Sequence, residues 1–70
     1  MLKPVKRRLL IKKLNALGFI GPFSGGKHEY MEKSGHRIFI PNPHKGEIGV
    51  VLLKLIIKEV GVTFDEFNQL

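Results

Sequence analysis

Three histidines, His28, His36 and His44, are the side chains in this sequence best suited to proton transfer. Histidine is the residue type that changes charge near neutral pH without perturbation, so it can give or take a proton in catalysis. His28 follows two glycines at the start of a predicted strand, where a bulky substrate can approach its ring. His36 lies in a predicted turn, where exposure without a role is expected. From the residues alone, His28 is either a surface histidine with no function or one that contacts a ligand.

His44 and Lys45 precede a predicted helix. The free backbone N–H groups and the dipole at the start of a helix attract phosphate. His44 is therefore a candidate phosphate-binding residue, and Lys45 is a second cation at the same position.

Other common kinds of site lack their usual signatures in the sequence. The histidines have no zinc-ligand spacing, and the six acidic residues form no paired-carboxylate pattern for magnesium. Neither a Walker loop nor a Gly-x-Gly-x-x-Gly motif occurs. We therefore expect no metal and no cofactor.

The charge of the chain favours a polyanionic partner. Twelve Lys and Arg against six acidic residues give a formal charge of +6 and a pI near 10.0. The partner is either a nucleic acid or an acidic protein. A length of 70 residues predicts one compact domain spanning residues 1–70, and without cysteine it has no disulfide. The basic N-terminus has no long apolar run, so we expect neither a signal peptide nor a membrane span.

The apolar spacing and the turn residues predict an α+β domain in the order helix, three-stranded antiparallel sheet, helix. Turns are predicted from Ser24 to Gly26 and at Ser34-Gly35, and Gly18 and Gly61 are expected to end the helices. The predicted elements are a helix from Val5 to Leu17, a short or irregular edge strand from Phe19 to Phe23, strands from Lys27 to Lys33 and from His36 or Arg37 to Ile40, and a helix from Ile48 to Val60.

Strand alternation puts His28 and Tyr30 on one face of the predicted strand and Met31 on the other, but each face also carries charged residues, so alternation alone does not settle which face is solvent. Ile38 and Ile40 must be in the core, and Met31 is their best apolar partner on the neighbouring strand. That choice leaves His28 and Tyr30 on the open face. A histidine beside an aromatic ring and many cations is an arrangement suited to RNA, because unpaired bases stack on aromatics while cations hold phosphates.

Two features at the C-terminal end of the sequence predict packing. The second predicted helix is apolar almost all round, so it is covered either by the sheet and first helix alone or by a partner protein as well. Thr63 and Glu66 have the spacing of a capping box, which predicts a last helical turn that packs Phe64 or Phe67 onto the body.

Several short motifs occur in order along nearly the whole chain. They are Leu17-Gly18-Phe19, Gly26-Lys27-His28-Glu29, Ile40-Pro41, His44, Glu47-Ile48, Val60-Gly61-Val62 and Phe67. Together these motifs resemble the HicA toxins. The resemblance implies a double-stranded-RNA-binding-domain-like fold, in agreement with the predicted order of elements.

The resemblance also implies an activity, that of a metal-independent endoribonuclease. HicA toxins cut mRNA with the histidine of a Gly-Ser-His motif; Gly26 and His28 match that motif, and Lys27 stands in the serine position. His28 is thereby expected to be the catalytic general acid or base. The residues expected to hold the RNA are Lys6, Arg7, Lys13, Lys27, Tyr30 and Lys45.

The resemblance further implies a type II toxin–antitoxin system. A HicB-type antitoxin is the expected protein partner, the expected location is the cytoplasm, and any oligomer is expected to form through the antitoxin complex. Two alternatives remain open from the sequence: a non-catalytic RNA-binding module and a protein-interaction domain.

Overall fold

The structure, a computed structural model, describes residues 2–43 and 46–70 of the chain. A helix, a three-stranded sheet and a second helix follow one another, with a pair of very short strands and a C-terminal helical turn added. The elements are β1 (Val5–Lys6), α1 (Arg7–Ala16), β2 (Ile20–Gly25), β3 (His28–Lys33), β4 (His36–Ile40), β5 (Glu47–Ile48), α2 (Val50–Val60) and α3 (Phe64–Asn68).

The central sheet is antiparallel, with β3 between β2 and β4. Met31 pairs with Ile38, and both are fully buried together with Ile40. This confirms the predicted core face of the hairpin. β2 runs on to Gly25, so the turn is formed by Gly26 and Lys27 rather than beginning at Ser24, and β3 begins at His28 rather than Lys27.

Helix α1 lies against the sheet through an apolar stripe that contains the fully buried Leu10 and Leu14. It begins at Arg7 rather than at the predicted Val5, because Val5 and Lys6 are extended and pair with β5. Helical periodicity near a chain terminus cannot anticipate this pairing, since the partner strand lies about forty residues further along the chain. The predicted end of the helix at Gly18 is close to the observed end at Ala16.

Helix α2 buries one side and exposes another. Leu53, Ile56 and Ile57 are in the core, whereas Val51 and Leu55 are more than half exposed. The helix begins at Val50 rather than Ile48, because Ile48 belongs to β5. It ends where Gly61 adopts the left-handed conformation at φ 88° and donates its N–H to the Ile57 carbonyl, as the sequence predicts.

The last helical turn, α3, has the capping box predicted from Thr63 and Glu66. The Thr63 backbone N–H donates to the Glu66 carboxylate, and the Glu66 N–H donates to the Thr63 hydroxyl. Hydrogen bonding of the Glu66 carboxylate, first with the Thr63 backbone and second with the Thr63 side chain, lowers the pKa of Glu66 below the usual 4.5. Of the two aromatic candidates, Phe67 is the one fully buried, and Phe64 remains exposed.

The fold is α+β, and its order of helix, three-stranded antiparallel sheet and helix is consistent with the double-stranded-RNA-binding-domain-like architecture. One cluster of apolar side chains from both main helices, the sheet and α3 forms the core. Among the helices in residues 2–43 and 46–70, none combines the length and the apolar character needed to cross a bilayer.

Candidate active site

His28 is the first residue of β3 and is exposed on the open face of the sheet. Its pairing partner on β2 is Gly25, which has no side chain. A Cβ at Gly25 would lie 2.9 Å from Cε1 of Tyr30, so the missing side chain leaves room for the Tyr30 ring. On the β4 side, the rings of His28 and Phe39 meet edge to face, with centroids 6.3 Å apart. The histidine is therefore accessible to a large ligand and has aromatic neighbours.

A groove of about 300 Å³ lies between β4 and α2, and His28 is one of the residues that line it. Its walls are mostly apolar, and Glu59 is the acidic residue that lines it. Open, partly apolar grooves that carry a few polar groups are the usual form of binding sites. The lining residues are His28, Phe39, Ile40 and Pro41 on the sheet side, and Leu52, Leu55, Ile56 and Glu59 on the α2 side.

Arg7, predicted to hold RNA, has two partners within the protein. Its Nε donates a hydrogen bond of 3.1 Å to the Pro41 carbonyl, and its guanidinium forms an ion pair with Glu29. Glu29 follows His28, and Pro41 follows the last residue of β4. Arg7 thus ties the start of α1 to β3 and to the residue that follows β4.

We expect Arg7→Met to lower the free energy of unfolding by about 1–2 kcal/mol, because two charge-assisted hydrogen bonds at a partly exposed site are lost. Arg8→Met, at an exposed neighbour, is the matched control and should change it by less than about 0.5 kcal/mol. Urea unfolding measures both. If Arg7→Met leaves stability intact and instead reduces the salt slope of RNA binding by about 0.7, Arg7 contacts a phosphate as the sequence predicts.

The structure contradicts the prediction that Lys13 holds RNA. Its side chain is only 6% exposed, and its ammonium donates to the carbonyls of Phe67 (2.9 Å) and Leu70 (3.3 Å). The same ammonium lies 5.1 Å from the centre of the Phe67 ring. Lys13 points inward because it is three residues after Leu10, on the buried stripe of α1. It satisfies the carbonyls at the end of α3 and cannot reach a phosphate outside the fold.

The other predicted RNA-binding residues are distributed over two places. Lys27 is exposed in the turn beside His28, and Tyr30 is half-buried on the same face of the sheet as His28. Lys6 is exposed on β1 and lines a second, basic depression with Arg8, Leu9 and Lys12. His44 and Lys45 lie outside the described residues.

The structure places three further residues at the site that are not predicted from the sequence. Phe39 contacts His28, Phe23 contacts Tyr30 at 5.6 Å between ring centres, and the Arg37 guanidinium lies 4.5 Å from the centre of the Tyr30 ring. The sequence pattern could have predicted that Phe39 and Arg37 lie on the open face. Strand alternation that turns Ile38 and Ile40 into the core turns their neighbours outward.

Most of this chain matches the sequence model of one protein family. The sequence model of the family described as the HicA toxin of bacterial toxin–antitoxin systems matches residues 7–62 of the 70. The chain belongs to the HicA toxin family. As a HicA-family protein it is the toxin of a toxin–antitoxin system and has a cognate antitoxin. A search of curated proteins found no match.

The HicA match encloses β3 and the groove but stops before α3. His28, Phe39 and the groove wall on α2 all lie inside the matched region. Phe67 and the carbonyls that Lys13 satisfies lie beyond it. In this HicA-family chain the C-terminal turn is nevertheless part of the core.

Proposed function

We propose that this HicA-family toxin is a metal-independent endoribonuclease that cuts mRNA in the cytoplasm, with His28 as its catalytic residue. The observation that carries the proposal is the position of His28, which is exposed on the open face of the sheet and lines the groove between β4 and α2. Gly26 and His28 also match the glycine and histidine of the family motif. His36, at the other end of the same hairpin, lines no part of this groove.

The reaction needs only proton transfer and charge stabilisation, because RNA carries its own nucleophile. The ribose 2′-oxygen attacks the adjacent phosphorus while a base removes its proton. The bond from phosphorus to the 5′-oxygen of the next nucleotide breaks, and that oxygen takes up a proton. The products are a 2′,3′-cyclic phosphate and a 5′-hydroxyl. His28 serves as the base or the acid in this reaction, a contribution of about 100- to 10,000-fold.

The basic side chains around the site bind the RNA backbone. Lys27 is next to His28, and Lys6, Arg8 and Lys12 form a second basic surface. Binding that neutralises phosphates releases counterions, so RNA affinity decreases steeply with salt concentration.

A HicB-type antitoxin silences the toxin by covering His28. Exposed apolar side chains of α2 border the His28 groove, and Leu55 is 56% exposed. Exposed apolar patches of this kind are typical of protein interaction sites. An antitoxin that buries the α2 wall of the groove also closes access to His28, and any higher oligomer forms through that complex.

The test is cleavage of a labelled single-stranded RNA by the wild-type chain in EDTA. We expect cutting that persists in the chelator and products that end in a 2′,3′-cyclic phosphate. A matched substrate with 2′-deoxyribose throughout should remain intact, because it lacks the nucleophile. Loss of all cutting in EDTA contradicts the metal-independent mechanism, and the absence of cutting under any condition favours a non-catalytic RNA-binding module.

A further inference from the structure

Three aromatic side chains form one line across the open face of the sheet. Phe23 on β2 pairs with Tyr30 on β3, and Tyr30 pairs with Phe39 on β4. Directly paired residues project from the same face, so Phe23, Tyr30 and Phe39 form a continuous row. We call these three residues the aromatic row.

The two ends of the aromatic row are open, whereas its centre is occupied. Phe39 is 63% exposed and Phe23 is 41% exposed. Tyr30 is half-buried between the Phe23 ring and the Arg37 guanidinium. Phe39 therefore offers the largest free aromatic surface of the row, even though Tyr30 is the residue that the sequence favours for stacking.

The surroundings of the row are suited to a polyanion. The Arg37 guanidinium, which also pairs with the Glu32 carboxylate at 3.3 Å, lies over its centre. Lys27 is in the turn beside His28, and the chain carries a formal charge of +6. A partner with many negative charges and flat faces complements this surface, and single-stranded RNA has both. Aromatic rings beside cations are the common way to bind unpaired bases without reading their sequence.

We propose that the aromatic row is a platform on which unpaired RNA bases stack, with Phe39 as its principal contact. The proposal rests on the proposed function for the identity of the ligand. Because the Phe39 and His28 ring centres are 6.3 Å apart, a base on Phe39 places its own ribose and phosphate next to His28. The platform thereby selects single-stranded over duplex RNA, since paired bases keep their faces stacked inside the helix.

The test measures the affinity of a short, labelled single-stranded RNA in the His28→Ala background, where the ligand is not consumed. We expect Phe39→Ala to weaken binding by about 5- to 150-fold, the range for loss of one stacked base. The slope of affinity against salt concentration should stay the same, because no phosphate contact is removed. Phe39→Tyr should restore most of the affinity.

Phe64→Ala is the matched control, because Phe64 is also an exposed phenylalanine, at 44%, but belongs to α3 and not to the sheet. It should leave RNA affinity unchanged, and Phe39→Ala should not alter the binding of the corresponding duplex. Equal affinity of Phe39→Ala and its parent for the single strand overturns the platform, as does an equal loss with Phe64→Ala. These results are independent of cleavage, so a wild-type chain that cuts RNA without the Phe39 effect refutes the platform and leaves the ribonuclease standing.

Discussion

His28→Ala is expected to slow RNA cleavage by about 100- to 10,000-fold, because it removes the side chain that carries a proton in the transition state. His28 is exposed and is not part of the core, so the variant should fold normally. The measurement is a single-turnover time course on labelled RNA, with circular dichroism to verify the fold. RNA affinity should change much less than the rate, since the cations that hold the backbone remain.

His36→Ala is the matched control for this experiment. His36 is also an exposed histidine of the hairpin, but it pairs with Lys33 at the end opposite to His28. It should retain cleavage close to that of the wild type. Similar rates for His28→Ala and the wild type remove His28 from the catalytic role, and an equal loss in both variants shows that the effect is not specific to the groove.

Phe67→Ala is expected to destabilise the protein by about 3–5 kcal/mol, the usual cost of deleting a buried phenyl ring. A chain of 70 residues has a free energy of unfolding of only roughly 4–10 kcal/mol. The substitution should therefore remove a large part of the stability of the protein. The ring is fully buried, and its loss also removes the contact with the buried Lys13 ammonium. Guanidinium unfolding followed by circular dichroism measures the effect.

Phe64→Ala provides the comparison within the same helical turn. Phe64 is 44% exposed, so its truncation should cost less than about 1 kcal/mol. If both variants lose the same small amount of stability, α3 is not a component of the core and the segment after the family match is dispensable. A large loss confined to Phe67→Ala makes the C-terminal turn an essential part of this small domain.

The sequence alone was sufficient for the elements whose signals are local. Helical spacing of Leu10 and Leu14, the glycine after α2 and the Thr63–Glu66 capping box each depend on residues within a few positions of one another. Strand alternation with Ile38 and Ile40 was enough to put His28 on the open face. The helical spacing and the strand alternation follow from backbone geometry, which repeats every two or 3.6 residues. The glycine stop and the capping box follow from conformation and hydrogen bonding within a single turn at a helix end.

Only the tertiary structure decided the partners of the charged side chains. Lys13 and Arg7 look like any surface cations in the sequence, but one is buried under α3 and the other binds Glu29 and the Pro41 carbonyl. Their partners lie 22 to 57 residues away along the chain. The same holds for β1, which became a strand through pairing with β5. Local spacing determines which face a side chain takes, whereas its contacts depend on which distant segment the fold brings to that face.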